Sequence, residues 1–298
     1  MKLHVVYRLY GGENRKGRPS YYSKRTSLAS ALQSAEYADA NIVVLADGPI
    51  PEDLRALASK KARIVDLAGG PVGMRRSFMA GLKYPDVAEW PDEDLVYFCE
   101  DDYLHETQAM VELTAAAVRL DSAHYFALYA WTQRHHPCHS PCAPYRAPAM
   151  WQPHAEYTVG ETLWVNVPNT TSTFGARIGT LREDIGIFRQ GMIPYRTRLL
   201  DYEMLLVVQG RFPYSPSEIL RGHEFTRSRT GLKALAANAV LTPFRLAYEL
   251  RTLTRRRNPH LLYAPDPNLA CHMETEFLSP GVDWSAVAKC ADIWADGQ

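Results

Sequence analysis

The first third of the chain alternates between short apolar segments and longer amphipathic ones. The segments "KLHVVYRL", "NIVVLAD", "ARIVDLA" and "EDLVYFCEDD" are apolar and rich in β-branched residues, which is typical of buried strands. The segments between them carry apolar residues every three or four positions, which predicts helices. Repeated strand–helix units indicate a mostly parallel sheet covered by helices on both faces. The stretches expected in this one sheet are residues 3–9, 42–46, 63–67 and 95–99.

The predicted helices of this part are "SKRTSLASALQSAEYA", "PEDLRALASKK", "GGPVGMRRSFMAGLKYP" and "ETQAMVELTAAAVRL". In the second of these, Pro51 suits the first helical position, with acids in the first turn and lysines in the last. The third has a glycine-rich entry. These helices complete a repeated βα pattern.

The second half of the chain is less regular. "AHYFALYAW" predicts a strand, and "TLWVNVPNTTSTFGARIGTL" predicts strands around a turn. "RLLDYEMLLVVQG" predicts a helix ending at Gly210, and "LKALAANAVLTPFRLAYELRTLTRRR" predicts helical structure interrupted near Pro243. A short helix follows "PNLACHMETEFLSPGVDW". Since there is no internal repeat or low-complexity linker, we expect one domain over residues 1–298.

Composition narrows the class of protein. Lys plus Arg number 33 and so do Asp plus Glu, so a formal charge of zero gives no reason to expect nucleic acid as a partner. No apolar run approaches the roughly 20 residues that cross a bilayer. The N-terminal segment is too short in its apolar part for a signal peptide. Five widely spaced cysteines are no disulfide framework, which favours the cytoplasm.

The stretch "YFCEDDYLH", residues 97–105, carries three adjacent acids directly after an apolar strand. Glu100, Asp101 and Asp102 repel one another there. In an open α/β sheet, ligands bind outside the carboxyl ends of strands. Clustered carboxylates at such an end suit a hard divalent cation that bridges them to a phosphate. A solvated acidic turn is the alternative, and the acids alone leave both interpretations open.

Several segments, in order, resemble the GT-A fold glycosyltransferases, with a family-2-like pattern. "VVLADGP" looks like the second strand of that fold, and "GGPVGMRRSFMAGL" is similar to "N-x-G-x-x-x-A-R-N-x-G", with Gly73, Arg76 and Gly81 retained. "CEDDYL" looks like the DxD motif in its E-D-D form. "LLDYEMLLVVQG" resembles the x-E-D helix, with Leu200 where the family has glutamate, and "ACHMETEFLSPGVDW" resembles the C-terminal histidine segment. The segments span residues 3–284.

The resemblance implies a metal-dependent transfer of a sugar from a nucleotide-sugar donor to a hydroxyl acceptor, a glycan or a lipid-linked one. Such an activity belongs to the synthesis of surface polysaccharides or glycoconjugates. The sheet would then be a Rossmann-like GT-A sheet. Residues 1–130 would form the nucleotide-sugar-binding half, and residues 131–298 an elaborated half that binds the acceptor.

The resemblance also implies site residues. Asp102 would bind Mn²⁺ or Mg²⁺ directly, with His272 as a further ligand. Asp201 would be the catalytic base, with Glu203 on the same helix as the next candidate, and a base opposite the leaving group implies inversion at the anomeric carbon. The residues expected to contact the donor nucleotide are Arg8, Asp47, Arg75, Arg76, Glu100 and Asp101.

Each of these residues also has an ordinary structural interpretation. Asp47 is suited to capping the following "GPIP" turn. Arg75 and Arg76 suit a solvated helix face, and His272 suits a buried, hydrogen-bonded position. Asp201 is a good helix N-cap.

Two further segments carry functional alternatives. "RHHPCHSPC", residues 134–142, contains zinc-ligand residue types, although a structural zinc site usually takes ligand pairs from two separate segments, so an acceptor-side loop is favoured. "RLAYELRTLTRRR", residues 245–257, is basic and partly amphipathic. It suits a peripheral contact with an anionic membrane or, as the more ordinary interpretation, a packed helix with solvated arginines.

Two other functions stay open. A sugar-phosphate nucleotidyltransferase normally has a glycine-rich loop with Arg or Lys after the first strand, and "YGGENRKGRP", residues 10–19, partly fits that pattern. A non-catalytic nucleotide-binding protein on the same fold is the other alternative. Labelled donors discriminate the enzymes, because a glycosyltransferase releases nucleoside diphosphate and a nucleotidyltransferase releases pyrophosphate.

Overall fold

The computed structural model describes residues 1–12, 16–130, 151–192, 201–221 and 232–298, and it describes the backbone alone at Asp201, Arg221 and residues 232–237. Its strands are β1 (Leu3–Tyr10), β2 (Asn41–Asp47), β3 (Arg63–Asp66), β4 (Leu95–Glu100), β5 (Tyr103–His105), β6 (Ala123–Phe126), β7 (Tyr157–Val159), β8 (Thr162–Asn166), β9 (Phe174–Arg177), β10 (Leu261–Asp266) and β11 (Ala270–His272). Its helices are α1 (Lys24–Tyr37), α2 (Glu52–Ser59), α3 (Met74–Val87), α4 (Ala109–Arg119), α5 (Ile178–Gly191), α6 (Asp201–Val208), α7 (Pro216–Arg221), α8 (Leu232–Arg255) and α9 (Trp284–Asp296), with a 3₁₀ turn at Thr275–Phe277.

A nine-stranded sheet in the order β3-β2-β1-β4-β9-β6-β10-β8-β7 forms the centre of the molecule. The four strands of the first third are adjacent and parallel, which confirms the predicted sheet. Strand β9 runs antiparallel to both neighbours, β4 and β6, and β8 runs antiparallel to β10 and β7. Five of the nine strands precede residue 130 and four follow it, so both halves of the chain build one sheet.

Helices cover both faces of this sheet, as the continuous apolar strands predicted. On β1, Val5, Tyr7 and Leu9 pack on one side with residues of α1, α2, α4 and α9. Val6 points to the other side, where α3, α5, α6 and α8 contribute to the core. Because successive side chains of a strand alternate in direction, two separate cores require apolar residues at nearly every position of the strand.

A second, two-stranded sheet joins β5 to β11 in antiparallel register, with His272 opposite Tyr103. Leu104 and Cys271 pack with Trp284 of α9 in a third, smaller core. The sequence did not predict either strand, because three residues are too few to show an alternating pattern. This small sheet determines where the segment after β4 meets the C-terminal segment.

Four sequence predictions need correction. Helix α8 continues through Pro243, where an interruption was expected. Pro243 is exposed on this helix, and the helix continues although proline lacks one backbone donor. Pro51 is the N-cap of α2 and not its first helical residue. Helix α5 was not predicted, because three glycines weaken its helical pattern. Helix α6 ends at Val208, two residues before the predicted end at Gly210, which has a φ of 68°.

Candidate active site

A cavity of about 430 Å³ opens at the carboxyl ends of β1, β2 and β4. This volume is within the range of roughly 300–1,000 Å³ that is typical of small-molecule sites. Four of the residues predicted to contact a donor nucleotide line it: Arg8, Asp47, Glu100 and Asp101. Its other side is formed by Gly73, Met74 and Ser77 at the start of α3. The cavity therefore lies at the edge of the sheet where the strand pattern predicted a ligand.

Glu100 is paired with Arg8 across the two central strands. The residues are direct partners in the parallel register of β1 and β4, and Arg8 Nη2 donates to Glu100 Oε1 at 2.5 Å. Ser172 Oγ donates to the other carboxylate oxygen at 2.5 Å, and Arg8 Nη1 donates to Ser77 Oγ at 3.3 Å. These bonds fix both charged groups at the floor of the cavity.

Asp101 fastens the end of β1 to the acidic turn. Its Oδ2 accepts from the backbone N–H of Tyr10 and from Lys24 Nζ, each at 2.9 Å. Lys24 also donates to the carbonyl oxygens of Tyr10 and Gly12. Burial raises the pKa of Asp101 against the lowering effect of Lys24. Because its carboxylate is occupied by these donors, Asp101 shapes the cavity wall more than it offers a free ligand.

Asp102 lies beside His272, 170 positions later in the chain. The β5–β11 pairing produces this approach, and the backbone N–H of Met273 donates to the Asp102 carbonyl at 2.8 Å. His272 Nε2 is 3.2 Å from Asp102 Oδ2, and Arg18 Nη2 donates to the same oxygen at 3.0 Å. Lys16 Nζ is 3.7 Å away. Burial acts to raise the pKa of Asp102, but His272, Lys16 and Arg18 outweigh it and hold that pKa below its usual range.

The imidazole of His272 is held between two aromatic rings. It stacks on Tyr103 with a centroid distance of 4.8 Å and on Phe277 with one of 6.0 Å. Its Nε2 is also 3.1 Å from Glu274 Oε1. The stacked rings orient this nitrogen towards both Asp102 and Glu274.

Asp102, His272 and Glu274 form a group that fits a divalent ion. One ligand atom from each lies within 4.8 Å of the other two. Neighbouring ligand atoms of a six-coordinate Mg²⁺ are about 3 Å apart, given bonds of about 2.1 Å in octahedral geometry. The separations of 3.2 and 3.1 Å around His272 Nε2 agree with that spacing. The residue that sequence reasoning missed here is Glu274, although it follows His272 by only two positions.

A segment of hydroxyl side chains, Thr170–Thr173, borders the acidic turn. It precedes β9, and since β9 is antiparallel to β4, its amino end lies beside the carboxyl end of β4. Besides the bond from Ser172 to Glu100, Thr173 Oγ1 accepts from the backbone N–H of Glu100 at 3.3 Å. Thr171 Oγ1 accepts from the Tyr103 hydroxyl at 2.7 Å. These hydroxyls, which the sequence showed only as a turn, hold the acidic turn in place.

Asp47 and the start of α3 form the opposite wall of the cavity. Asp47 Oδ1 accepts from the backbone N–H of Val72 at 2.6 Å, so it orders the glycine-rich entry to α3. Gly73 caps α3 with a φ of 82°, a conformation that favours glycine. Arg75 is half-buried and Arg76 is exposed, and neither is among the residues that line the cavity. Their contact with a donor stays a prediction.

The candidate bases lie on α6. Asp201 begins this helix, but its side chain is outside what the structure describes. Glu203 is buried, and it adds to the dominant effect of burial in raising the pKa of Tyr248 on α8. Glu203 is not among the cavity-lining residues. The His/Cys segment at residues 134–142 lies outside the described residues.

Comparisons with known proteins find only weak similarities. No family profile matches the chain, and no curated protein matches it. Among solved structures, residues 1–349 of S. aureus TarS match with a TM-score of 0.44 and 13% identity, over 86% of this chain and 71% of that one. A mycobacterial protein matches with a TM-score of 0.30 and 17% identity, over 42% of this chain and 40% of that one.

A further similar structure is glucosyl-3-phosphoglycerate synthase from Mycobacterium tuberculosis in complex with Mn²⁺, uridine diphosphate and glucosyl-3-phosphoglycerate. It matches with a TM-score of 0.30 and 19% identity, over 45% of both chains. The chain therefore spans less than half the length of two of these three structures. Similarities of this size do not identify an activity.

If Asp102 and Glu274 bind a metal ion, replacing either carboxylate should weaken that binding. Asp102→Asn and Glu274→Gln each remove a charge at nearly constant volume, so we expect each to weaken Mn²⁺ binding at least 10-fold in the presence of a nucleoside diphosphate. Electron paramagnetic resonance of free Mn²⁺ measures this. Glu276→Gln is the matched control, because Glu276 is exposed two positions away and should leave binding unchanged. Equal affinity in all three variants would exclude these residues as ligands.

Proposed function

We propose that the chain is a metal-dependent glycosyltransferase, which moves a sugar from a nucleotide-sugar donor to a hydroxyl acceptor with inversion. One observation carries the proposal: Asp102, which forms a group with His272 and Glu274, directly follows Glu100 and Asp101, and these two acids line a cavity at the carboxyl edge of the sheet. The resemblance to GT-A glycosyltransferases implies a metal and a donor diphosphate at the E-D-D turn. The geometry of the acidic turn supports that assignment.

The donor is proposed to occupy the cavity between β1, β4 and the start of α3. Helix α3 is 14 residues long and begins at Met74, and its amino end has no side-chain cap. Unpaired N–H groups and the helix dipole favour an anion at such an end. Arg8 supplies a fixed guanidinium group at the floor of the cavity, where Glu100 holds it. Asp47 is proposed to contact the nucleoside, either directly or through the loop that it orders at Val72.

Asp102, Glu274 and His272 are proposed to hold the metal. Two carboxylates suit Mg²⁺ and Mn²⁺, and a nitrogen ligand favours Mn²⁺ of the two. When bound, the ion would act as a Lewis acid that stabilises charge on the leaving diphosphate. Tyr103 and Phe277 keep the imidazole in a fixed plane.

Asp201 is proposed as the base that takes the proton from the acceptor hydroxyl. It begins α6, whose Met204, Leu205 and Val208 are buried in the core and give this helix a fixed position. A base across the pocket from the metal would act on the face opposite the leaving group, which is the reason for expecting inversion. Glu203 is the second candidate.

The acceptor is proposed to be a glycan or a lipid-linked hydroxyl, bound by residues 131–298, in the synthesis of a surface polysaccharide or glycoconjugate. We place the reaction in the cytoplasm. The three cysteines in the described part of the chain, Cys99, Cys271 and Cys290, carry free thiols, which agrees with a reducing compartment.

A peripheral membrane contact through residues 245–257 is proposed as well. Leu246, Leu250 and Leu253 follow one another at intervals of four and three on α8, and each is about half exposed or more, at 46%, 64% and 52%. Arg251, Arg256 and Arg257 are exposed beside them. Apolar residues flanked by arginines suit the surface of an anionic bilayer. Among the described helices none has the length and apolar character to cross a membrane.

A sugar-phosphate nucleotidyltransferase is the second candidate function. It is favoured by one observation, namely that Lys16 and Arg18 of the loop after β1 lie at the acidic turn. Cations in that loop are expected of such enzymes. A non-catalytic nucleotide-binding protein would have the same cavity and would turn over no donor.

A donor labelled in both the sugar and the nucleotide tests the reaction. We expect wild-type protein with Mn²⁺ to release nucleoside diphosphate and to give a product of opposite anomeric configuration to the donor. Asp201→Asn should bind donor normally and lower turnover by about 10²–10⁴-fold. Release of pyrophosphate would identify a nucleotidyltransferase, and a retained configuration would exclude the inverting mechanism.

The same series separates the two roles of Asp201. If Asp201 only caps α6, Asp201→Ala should cost about 1 kcal/mol of stability, whereas Asp201→Asn, an equally good N-cap, should leave both stability and turnover nearly unchanged. Near-normal turnover in Asp201→Asn would therefore move the base assignment to Glu203. Binding of donor with no turnover of any of the tested nucleotide sugars would favour the non-catalytic alternative.

Vesicle sedimentation tests the membrane contact. Leu250→Glu places a charge on the exposed apolar face, and we expect it to weaken binding to vesicles containing anionic phosphatidylglycerol at least 10-fold, because about 1.5–3 kcal/mol of leucine burial is lost. Ile293→Glu is the control, since Ile293 is 63% exposed on α9. Added salt should weaken wild-type binding. The proposal would be contradicted if wild-type protein does not bind anionic vesicles. It would also be contradicted if the wild-type protein is a dimer that Leu250→Glu dissociates.

A further inference from the structure

Two basic side chains lie at the group that the proposed function assigns to a divalent ion. Lys16 Nζ forms an ion pair with Glu274 and lies 3.7 Å from Asp102 Oδ2. Arg18 Nη2 donates to the same Asp102 oxygen at 3.0 Å. The oxygens that would coordinate a metal are therefore already contacted by the chain's own cations.

The charges of this arrangement balance without a metal. Asp102 and Glu274 carry one negative charge each, and Lys16 and Arg18 carry one positive charge each. A divalent ion added alone would leave an excess of positive charge in a largely buried position, where repulsion is weakly screened. A doubly negative diphosphate beside the ion would restore the balance. Metal and donor should therefore bind better together than separately.

The two cations differ in how firmly they are held. Arg18 is largely buried, donates to the Met273 carbonyl oxygen at 2.7 Å and lies over the Tyr22 ring at 4.6 Å. The Lys16 side chain is 39% exposed, and its contacts at the site are with the two carboxylates alone among the residues described. Lys16 can leave the carboxylates at little cost, whereas Arg18 has partners that keep it in place.

We infer that Lys16 is an internal competitor of the metal, and that the displaced ammonium then binds the donor diphosphate. The inference rests on the proposed function. It assigns Lys16 two successive partners: the Asp102–Glu274 pair before the metal binds, and phosphate oxygens afterwards. Arg18 stays beside Asp102 in both states and supplies a fixed positive charge. Lys16 thereby links metal binding to donor binding, and this linkage is reciprocal.

Lys16→Met tests the inference, because it keeps the length of the side chain and removes its charge. We expect the affinity for Mn²⁺ alone to rise about 5-fold, which is the scale of one partly exposed ion pair. The affinity for uridine or guanosine diphosphate at saturating Mn²⁺ should fall by a similar factor. Electron paramagnetic resonance measures the affinity for Mn²⁺, and calorimetry measures the affinity for the nucleoside diphosphate.

The opposite signs of these two effects are the decisive result. A purely structural role of Lys16 would weaken both affinities, and simple competition would change only the first. Lys16→Arg should behave like wild type, and Lys289→Met controls for the loss of an exposed positive charge elsewhere. Unchanged affinity for Mn²⁺ in Lys16→Met would overturn the inference about Lys16 but not the proposed function. Wild-type protein that binds no Mn²⁺ even with nucleotide present overturns the proposed function together with it.

Discussion

Three adjacent carboxylates can lie together at the end of β4 only because each is paired with a lysine or an arginine. Glu100 is paired with Arg8, Asp101 with Lys24, and Asp102 with Arg18 and Lys16. Removing one partner of a buried pair typically costs about 3–5 kcal/mol, since the other charge is left uncompensated. All of the lysines and arginines involved come from residues 8–24, so the parallel pairing of β1 with β4 assembles the candidate site as well as the sheet. The repulsion between the carboxylates of the acidic turn is compensated because that strand pair forms.

The β5–β11 pairing is the second requirement, because it brings the C-terminal segment to the same turn. It places His272 and Glu274 beside Asp102, and the aromatic rings of Tyr103 and Phe277 fix the imidazole between them. Asp101, the neighbour of Asp102 in the chain, lines the cavity. The proposed chemistry follows from that adjacency, since a metal held there would meet a diphosphate in the cavity.

Local patterns predicted what depends on local sequence. The four strands and the helices between them were recognisable because each repeats a hydrophobic period over several residues, and Asp102 and His272 were named from motif segments. Glu274 was missed, and the loop that holds Lys16 and Arg18 was noted without its contact to Asp102, because these contacts depend on segments that lie far apart in the chain. Helix α5 was not predicted because its three glycines weaken the helical pattern. The helix break expected at Pro243 was wrong, since the sequence does not show that this residue lies on an exposed face. Arg76 fitted the motif and Arg75 was expected to contact the donor with it, yet the cavity is lined by their neighbours Met74 and Ser77.

The central claim is that the acidic turn and the C-terminal segment form one metal site beside a nucleotide cavity. Anomalous diffraction from crystals grown with Mn²⁺ and a nucleoside diphosphate tests it most directly. The account predicts one strong manganese peak in contact with Asp102, His272 and Glu274, with the diphosphate density between this peak and the start of α3. A nucleotide bound in the cavity with no manganese at these residues, or a manganese peak elsewhere on the chain, would contradict it.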